Sequence, residues 1–234
     1  MSSRHLLTSR SNKSNLDRFL KTADKLPMRS ENSRQTSGRL LFALDATASR
    51  QPSWDKACQL QGQMFKATDP LGGLQLQLCY YRGFNEFHIT PWLTDSQSLL
   101  RIMTAVQCLG GLTQLDRVLA HCTTEHRVKP IQAVVIIADA VEESVDKLCS
   151  KAGKLGMLGV PLFMFQEGRD KTARQCFQQM AMLSKGAYAT FDEHSANELA
   201  ELLGAVATFA SGGYDALQDL KSTAARQLLQ QLKS

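Results

Sequence analysis

The chain has 234 residues, of which 43% are hydrophobic and 21% are charged, and its formal net charge is +5. This composition is typical of a soluble globular protein and excludes disorder throughout the chain. The sequence shows no secretory signal, no run of roughly 18 apolar residues that could span a membrane, and no CxxC pair among its six cysteines. We therefore expect a cytoplasmic protein with free thiols.

The N-terminal arm is basic, in contrast to the rest of the sequence. Residues 1–39 contain nine Lys or Arg against three acidic residues, whereas residues 40–234 contain 18 against 19. We expect the arm to be partly disordered, except for one short helix that the spacing of apolar residues predicts. In this helix Leu16, Phe19 and Leu20 either pack on the chain's own domain or bind a partner protein. Without interleaved aromatic side chains, the basic residues do not indicate a nucleic-acid partner.

Strand and helix patterns alternate from residue 39 onward. A strand over 39–44 precedes a helix near 53–66, and strict alternation then predicts a hairpin with strands over 74–80 and 84–89. The elements that follow are a helix from a Thr94/Gln97 capping box to Cys108, a helix over 113–121, a buried strand within 131–139, a helix over 142–154, a strand over 160–165, a helix over 170–183, a strand over 187–191, a helix from Ser195 to Ala210 and a last helix over 214–232. This order predicts a doubly wound α/β fold with a mostly parallel sheet, one antiparallel edge strand and helices on both faces.

Two of the predicted strands end in an aspartate, Asp45 after LLFAL and Asp139 after VVIIA. Neighbouring parallel strands would bring both carboxylates to one edge of the sheet, where they repel each other and lose solvation. A divalent cation would relieve both costs. Hydroxyl groups that suit a hard cation lie close by in the sequence or in a later loop, at Thr47, Ser49 and Thr113. These oxygen donors predict an Mg²⁺ or Mn²⁺ site with an open position for an external ligand.

The same residues resemble the metal-ion-dependent adhesion site (MIDAS) of the von Willebrand factor A (VWA) family. In that family a DxSxS motif follows the first strand, a threonine lies in a later loop, and an aspartate follows the fourth strand. The matching positions here are Asp45, Thr47, Ser49, Thr113 and Asp139. The sequence departs from the family pattern with threonine for the first serine, with GGLT for the commoner GGT and with ADA for TDG. The resemblance implies a Rossmann-like VWA domain over 39–210, between the arm (1–38) and a C-terminal helix (211–234).

The resemblance also implies a function, which is that of a protein-interaction module and not an enzyme. A partner protein would supply a Glu or Asp to the bound cation. Intracellular members of bacterial type often work beside AAA+ ATPases of the MoxR type or in multiprotein assemblies, so such an ATPase is a candidate partner, and neither nucleic acid nor a membrane is expected.

Two other functions stay open on the sequence alone. A metal-dependent hydrolase or phosphatase would use the same carboxylates, with His121 and Glu142 as the nearby acid–base candidates. A scaffold with a degenerate metal site would instead bind its partners through the basic arm or the C-terminal helix. The HCTTEH stretch at 121–126 lacks the spacing of zinc proteases, and no GxSxG motif or phosphate-binding glycine motif is present.

Overall fold

The computed structural model of the chain describes residues 37–51, 54–55, 58, 64, 67–68, 71–191 and 196–232. The chain divides into two units, Met1–Gln35 and Thr36–Ser234, and the described residues belong to the second unit. The predicted arm helix with Leu16, Phe19 and Leu20 lies outside the described residues, as does most of the helix predicted over 53–66.

Within the described residues, six strands form one mixed sheet in the order β3-β2-β1-β4-β5-β6. The strands are β1 (Gly38–Asp45), β2 (Leu74–Arg82), β3 (Glu86–Ile89), β4 (Ala133–Ala138), β5 (Leu162–Glu167) and β6 (Ala187–Phe191). Neighbouring strands run parallel, except that β2 and β3 form the predicted antiparallel hairpin at one edge. The prediction of a doubly wound α/β fold with one antiparallel edge strand is confirmed.

Six helices accompany this sheet in the described part of the chain. They are α1 (Ser96–Thr104), α2 (Leu115–Val128), α3 (Val145–Met157), α4 (Lys171–Leu183), α5 (Ala196–Asp219) and α6 (Thr223–Leu232). The predicted capping box of α1 is wrong, because the Asp95 side chain accepts the Ser98 backbone N–H at 2.8 Å and so caps the helix in place of Thr94. Helix α2 runs beyond its predicted end at His121, because Cys122 continues its buried face.

The prediction of one helix over 214–232 is also wrong. Helix α5 continues past Ala210 and bends at Gly213, whose φ of 72° is in the left-handed region that glycine adopts without strain. The helix then stops at Asp219, and α6 begins at Thr223. Lys221, which lies between them, has a φ of 52°, in the left-handed region.

Apolar side chains on the two faces of the sheet form two separate core clusters. Strand β1 shows the division, because Leu40 and Phe42 belong to one cluster and Leu41 and Ala43 to the other. Helices α1, α5 and α6 cover the first face, and α2, α3 and α4 cover the second. No helix in the described residues is long and apolar enough to span a membrane.

The topology places both predicted aspartates at the same edge of the sheet. Strands β1 and β4 are parallel neighbours, with Leu44 beside Ile137, so Asp45 ends β1 near the point where Asp139 follows β4. The chain leaves β1 toward β2 on one side, whereas β4 and the later strands extend the sheet on the other side. Ligand sites of open α/β sheets lie at such a switch in strand order, outside the carboxyl ends of the strands.

Candidate metal centre

The Asp45 carboxylate is 1% exposed at the end of β1. Its Oδ1 atom accepts a hydrogen bond from the Thr47 backbone N–H at 2.8 Å, and its Oδ2 atom accepts one from the Tyr81 hydroxyl at 3.3 Å. Thr47 precedes a short 3-10 turn, Ala48–Arg50, which carries Ser49. The loop after β1 and the neighbouring strand β2 thus fix this carboxylate together.

A chain of hydrogen bonds connects this loop to the aspartate that follows β4. The Thr47 and Ser49 hydroxyl oxygens lie 3.3 Å apart, and the Ser49 hydroxyl donates to Asp139 Oδ2 at 2.9 Å. Asp139 is half-buried and Ser49 is exposed, so the connection lies near the surface of the domain. The structure therefore brings together four of the five predicted metal-binding residues: Asp45, Thr47, Ser49 and Asp139.

The fifth predicted ligand, Thr113, is hydrogen-bonded to the loop after β4. Its hydroxyl donates to Glu143 Oε2 at 2.5 Å and accepts the Glu142 backbone N–H at 3.0 Å. A hydroxyl oxygen accepts two hydrogen bonds, so one acceptor position of Thr113 remains for another ligand. The Thr113 loop also contacts the first loop, because the Leu109 backbone N–H donates to the Ala46 carbonyl at 3.0 Å. All three predicted loops therefore meet at this edge.

Sequence reasoning missed Tyr81 and Glu143 as parts of this site. Glu143 Oε1 accepts the Asp116 backbone N–H at 3.2 Å, and so it caps the start of α2, for which the Gln114 side chain forms no capping hydrogen bond. These contacts also explain why α3 starts later than the predicted residue 142. No local pattern in the sequence signals a helix cap that a different element supplies.

The oxygen donors at this edge fit a hard divalent cation. The five predicted ligands are two carboxylates and three neutral hydroxyls, without a thiolate or an imidazole, and Mg²⁺ and Mn²⁺ prefer such ligands. Among the described residues, no group of three or more His, Cys, Asp or Glu side chains is placed to hold a metal ion. A cation at this edge therefore depends on the hydroxyls of Thr47 and Ser49 and on water as well as on Asp45 and Asp139.

The sequence matches no protein-family model and no curated protein. The fold, in contrast, matches solved structures. A von Willebrand factor type A structure from Catenulispora acidiphila superposes with a TM-score of 0.62 at 13% identity, over 74% of this chain and 43% of that chain. The SpRpn10 VWA domain superposes with a TM-score of 0.55 at 14% identity, over 76% of this chain and 98% of that chain. This chain folds as a VWA domain.

A third solved structure that superposes on this chain holds a metal in its own MIDAS motif. Proximal thread matrix protein 1 from the mussel byssus, with zinc in its MIDAS motif, superposes on this VWA domain with a TM-score of 0.60 at 12% identity. The match covers 73% of this chain and 46% of that chain. The VWA domain described here thus spans less than half the length of the Catenulispora and mussel proteins.

The histidines of the HCTTEH stretch do not form a zinc site in this VWA domain. Both lie on α2, where the His121 ring Nε2 lies 2.8 Å from Gln77 Oε1 and the His126 Nδ1 accepts the Ile131 backbone N–H at 3.2 Å. Burial lowers the pKa of His121 from its ordinary value because a charged imidazole loses solvation there. Both side chains therefore have structural contacts away from the predicted cation.

We expect Cys108 to react first when the folded protein is alkylated at about pH 8. It is half-buried, whereas the other five cysteines are buried. Burial raises the pKa of Cys79 and Cys176 to about 12, which leaves roughly one thiolate in ten thousand molecules at that pH. Mass spectrometry after a short iodoacetamide pulse checks this order. Modification of Cys79 at the rate of Cys108 in the native protein would contradict it.

Proposed function

We propose that this VWA domain is a protein-interaction module that binds a carboxylate of its partner through a divalent cation. The observation that carries the proposal is the hydrogen-bonded connection of Asp45, Thr47, Ser49 and Asp139 at the switch point of the sheet. These residues would hold Mg²⁺ or Mn²⁺, and Thr113 would add its remaining acceptor position. The bound cation supplies an open coordination position for a Glu or Asp of the partner.

The charges at this edge support a cation-dependent mode of binding. Asp45 is almost fully buried and accepts the Thr47 backbone N–H, and the Thr47 and Ser49 hydroxyls continue this connection to a second carboxylate, Asp139. A partner carboxylate that approached these two groups directly would be repelled by both. With a divalent cation between them, the same approach becomes attractive, and the direction of the metal–oxygen bond makes it specific.

The surroundings of the two acid–base candidates favour an interaction module over a hydrolase. The Glu142 carboxylate accepts the Thr113 backbone N–H at 2.7 Å, and the His121 ring contacts Gln77 on a neighbouring strand. Both groups therefore serve as hydrogen-bonding partners within the fold. The cytoplasmic location, which rests on the composition of the sequence, and a MoxR-type AAA+ ATPase as the partner, which rests on the resemblance to the VWA family, belong to the proposal too.

Capture of partners by the immobilised full chain tests this proposal. We expect proteins from an extract of the source cells to be retained in Mg²⁺, to elute with EDTA, and to be lost with Asp139→Asn. The matched control is Asp215→Asn, the same change at an exposed aspartate of α5. Retention that neither EDTA nor Asp139→Asn alters would refute cation-mediated binding. Mg²⁺-dependent phosphatase turnover that Asp139→Asn abolishes would instead support the hydrolase.

A further inference from the structure

A second surface of the domain lies where the parallel strands begin, at the opposite end of these strands from Asp45. The last turns of α3 and α4 expose four large apolar side chains just before β5 and β6 begin. This helix-end surface consists of Met157, Leu158, Met182 and Leu183. Two of its members are among the most exposed apolar residues of the described chain, with Met157 at 82% and Met182 at 69% exposure. Contiguous exposed apolar groups of this kind mark binding surfaces.

The ends of the two helices are in backbone contact, which brings the two pairs of exposed apolar residues to the same part of the domain. A Cβ atom added to Gly156 would lie 2.3 Å from the Leu183 carbonyl oxygen, so the backbones of α3 and α4 meet at this point. Met157 and Leu158 follow Gly156 directly, and Met182 precedes Leu183. Methionine side chains adapt their shape to different apolar partners, which suits a surface that binds another molecule.

A groove of about 810 Å³ extends the helix-end surface toward the last helix. Its lining includes Met182 and Leu183 together with Tyr188 of β6 and Leu232 of α6. The Gln231 side chain accepts the Tyr188 backbone N–H at 2.8 Å and donates to its carbonyl at 3.0 Å. Because this carboxamide already occupies the outer edge of β6, an added β-strand has no place there, and a helix suits the groove better.

Two lysines lie at this end of the domain. Lys154 is exposed one turn before Met157 on α3, and Lys185 lines the groove, whose described lining contains no acidic residue. The first-turn residues Lys147, Lys171 and Arg174 lie at the other end of the two helices and do not contribute. An acidic partner therefore complements the groove better than a second copy of the same surface does.

We propose that the helix-end surface and its groove bind an acidic amphipathic helix of a partner protein. Apolar residues on one face of that helix would pack on Met157, Met182 and Leu183, and its acidic residues would face Lys154 and Lys185. The groove is concave, which fits a single helix better than a flat lipid surface. Because the proposed metal centre lies at the carboxyl ends of the strands and this surface lies at their other ends, the domain can hold two partners at once.

Fluorescence anisotropy with a labelled helical peptide of about four turns tests this proposal. The peptide has leucine at positions i, i+3, i+4 and i+7 and glutamate on its other face, and a second peptide has lysine in place of glutamate. Using the full chain in EDTA, we expect the acidic peptide to bind and the basic one not to bind. Binding should weaken as salt rises, because screening reduces the attraction between the charges. We expect Met157→Glu together with Met182→Glu to weaken binding by about tenfold or more.

The control variant is Val128→Glu, the same kind of change at an apolar residue that is 79% exposed at the end of α2. It should leave the affinity unchanged, and circular dichroism should show that both variants are folded. Failure of the acidic peptide to bind, equal binding of the two peptides, or equal effects of the two variants would overturn the proposal. Binding to vesicles of phosphatidylcholine and phosphatidylserine in preference to the peptide would overturn it too. Since EDTA is present throughout, these outcomes do not depend on the metal centre.

Discussion

Replacement of Asp45 by asparagine is expected to abolish the stabilisation of this domain by Mg²⁺ or Mn²⁺. Asparagine has nearly the same shape, and its Oδ1 atom still accepts the Thr47 backbone N–H. In the wild type the Tyr81 hydroxyl donates to Asp45, whereas in the variant the asparagine amide would donate to the Tyr81 hydroxyl oxygen. The fold is therefore kept, while the negative charge that attracts the cation is lost.

The size of this effect follows from binding to the folded state alone. A cation bound at about 100 times its dissociation constant would stabilise the wild-type domain by about 2.7 kcal/mol, which corresponds to a rise in Tm of roughly 5–11 °C for a domain of this size. Thermal unfolding in Mg²⁺ and in EDTA measures this rise, and Mn²⁺ binding by electron paramagnetic resonance checks it independently. Asp215→Asn should keep the full rise. An Asp45→Asn domain that gains as much stability from Mg²⁺ as the wild type would show that the cation binds elsewhere.

Gly111→Ala is expected to destabilise the domain by about 2–3 kcal/mol, because the loop that contains Gly111 is in backbone contact with the turn at Gly83. A Cβ atom on Gly111 would lie 1.9 Å from the Gly83 carbonyl oxygen, which is backbone and cannot rotate away. The same two segments are joined by a hydrogen bond from the Leu112 backbone N–H to the Gly83 carbonyl oxygen at 3.2 Å. Movement of this loop would also displace Thr113, so cation affinity should fall together with stability.

Gly110→Ala provides the matched control for this prediction. A Cβ atom at Gly110 has no other atom within 4 Å, and its φ is not in the left-handed region. The free energy of unfolding of the Gly110→Ala variant should stay within about 0.5 kcal/mol of that of the wild type. Chemical denaturation of the two variants gives this comparison, with a fall in Tm of roughly 4–12 °C expected for Gly111→Ala. Equal stability of the two alanine variants would refute the close approach of the loops.

The fold could be predicted because its elements have strong local signals. The run VVIIA before Asp139 indicated a strand buried on both faces, and every residue of β4 is buried. The alternation of Leu74, Leu76 and Leu78 indicated the hairpin strand, and these side chains face one core cluster. Element ends were less predictable. The apolar spacing that joins Leu217 to Leu228 continues across the break before Thr223, so the sequence pattern alone could not place it.

The fold class and the shared position of Asp45 and Asp139 could be inferred from the order of elements in the sequence, because parallel strands bring their carboxyl ends to one end of the sheet. The groups that the Thr113 hydroxyl contacts are known from the folded structure alone. Its partners, Glu142 and Glu143, are 29 and 30 residues away in the chain. Local periodicity carries no information on such pairs, which meet only when the loops after different strands pack together.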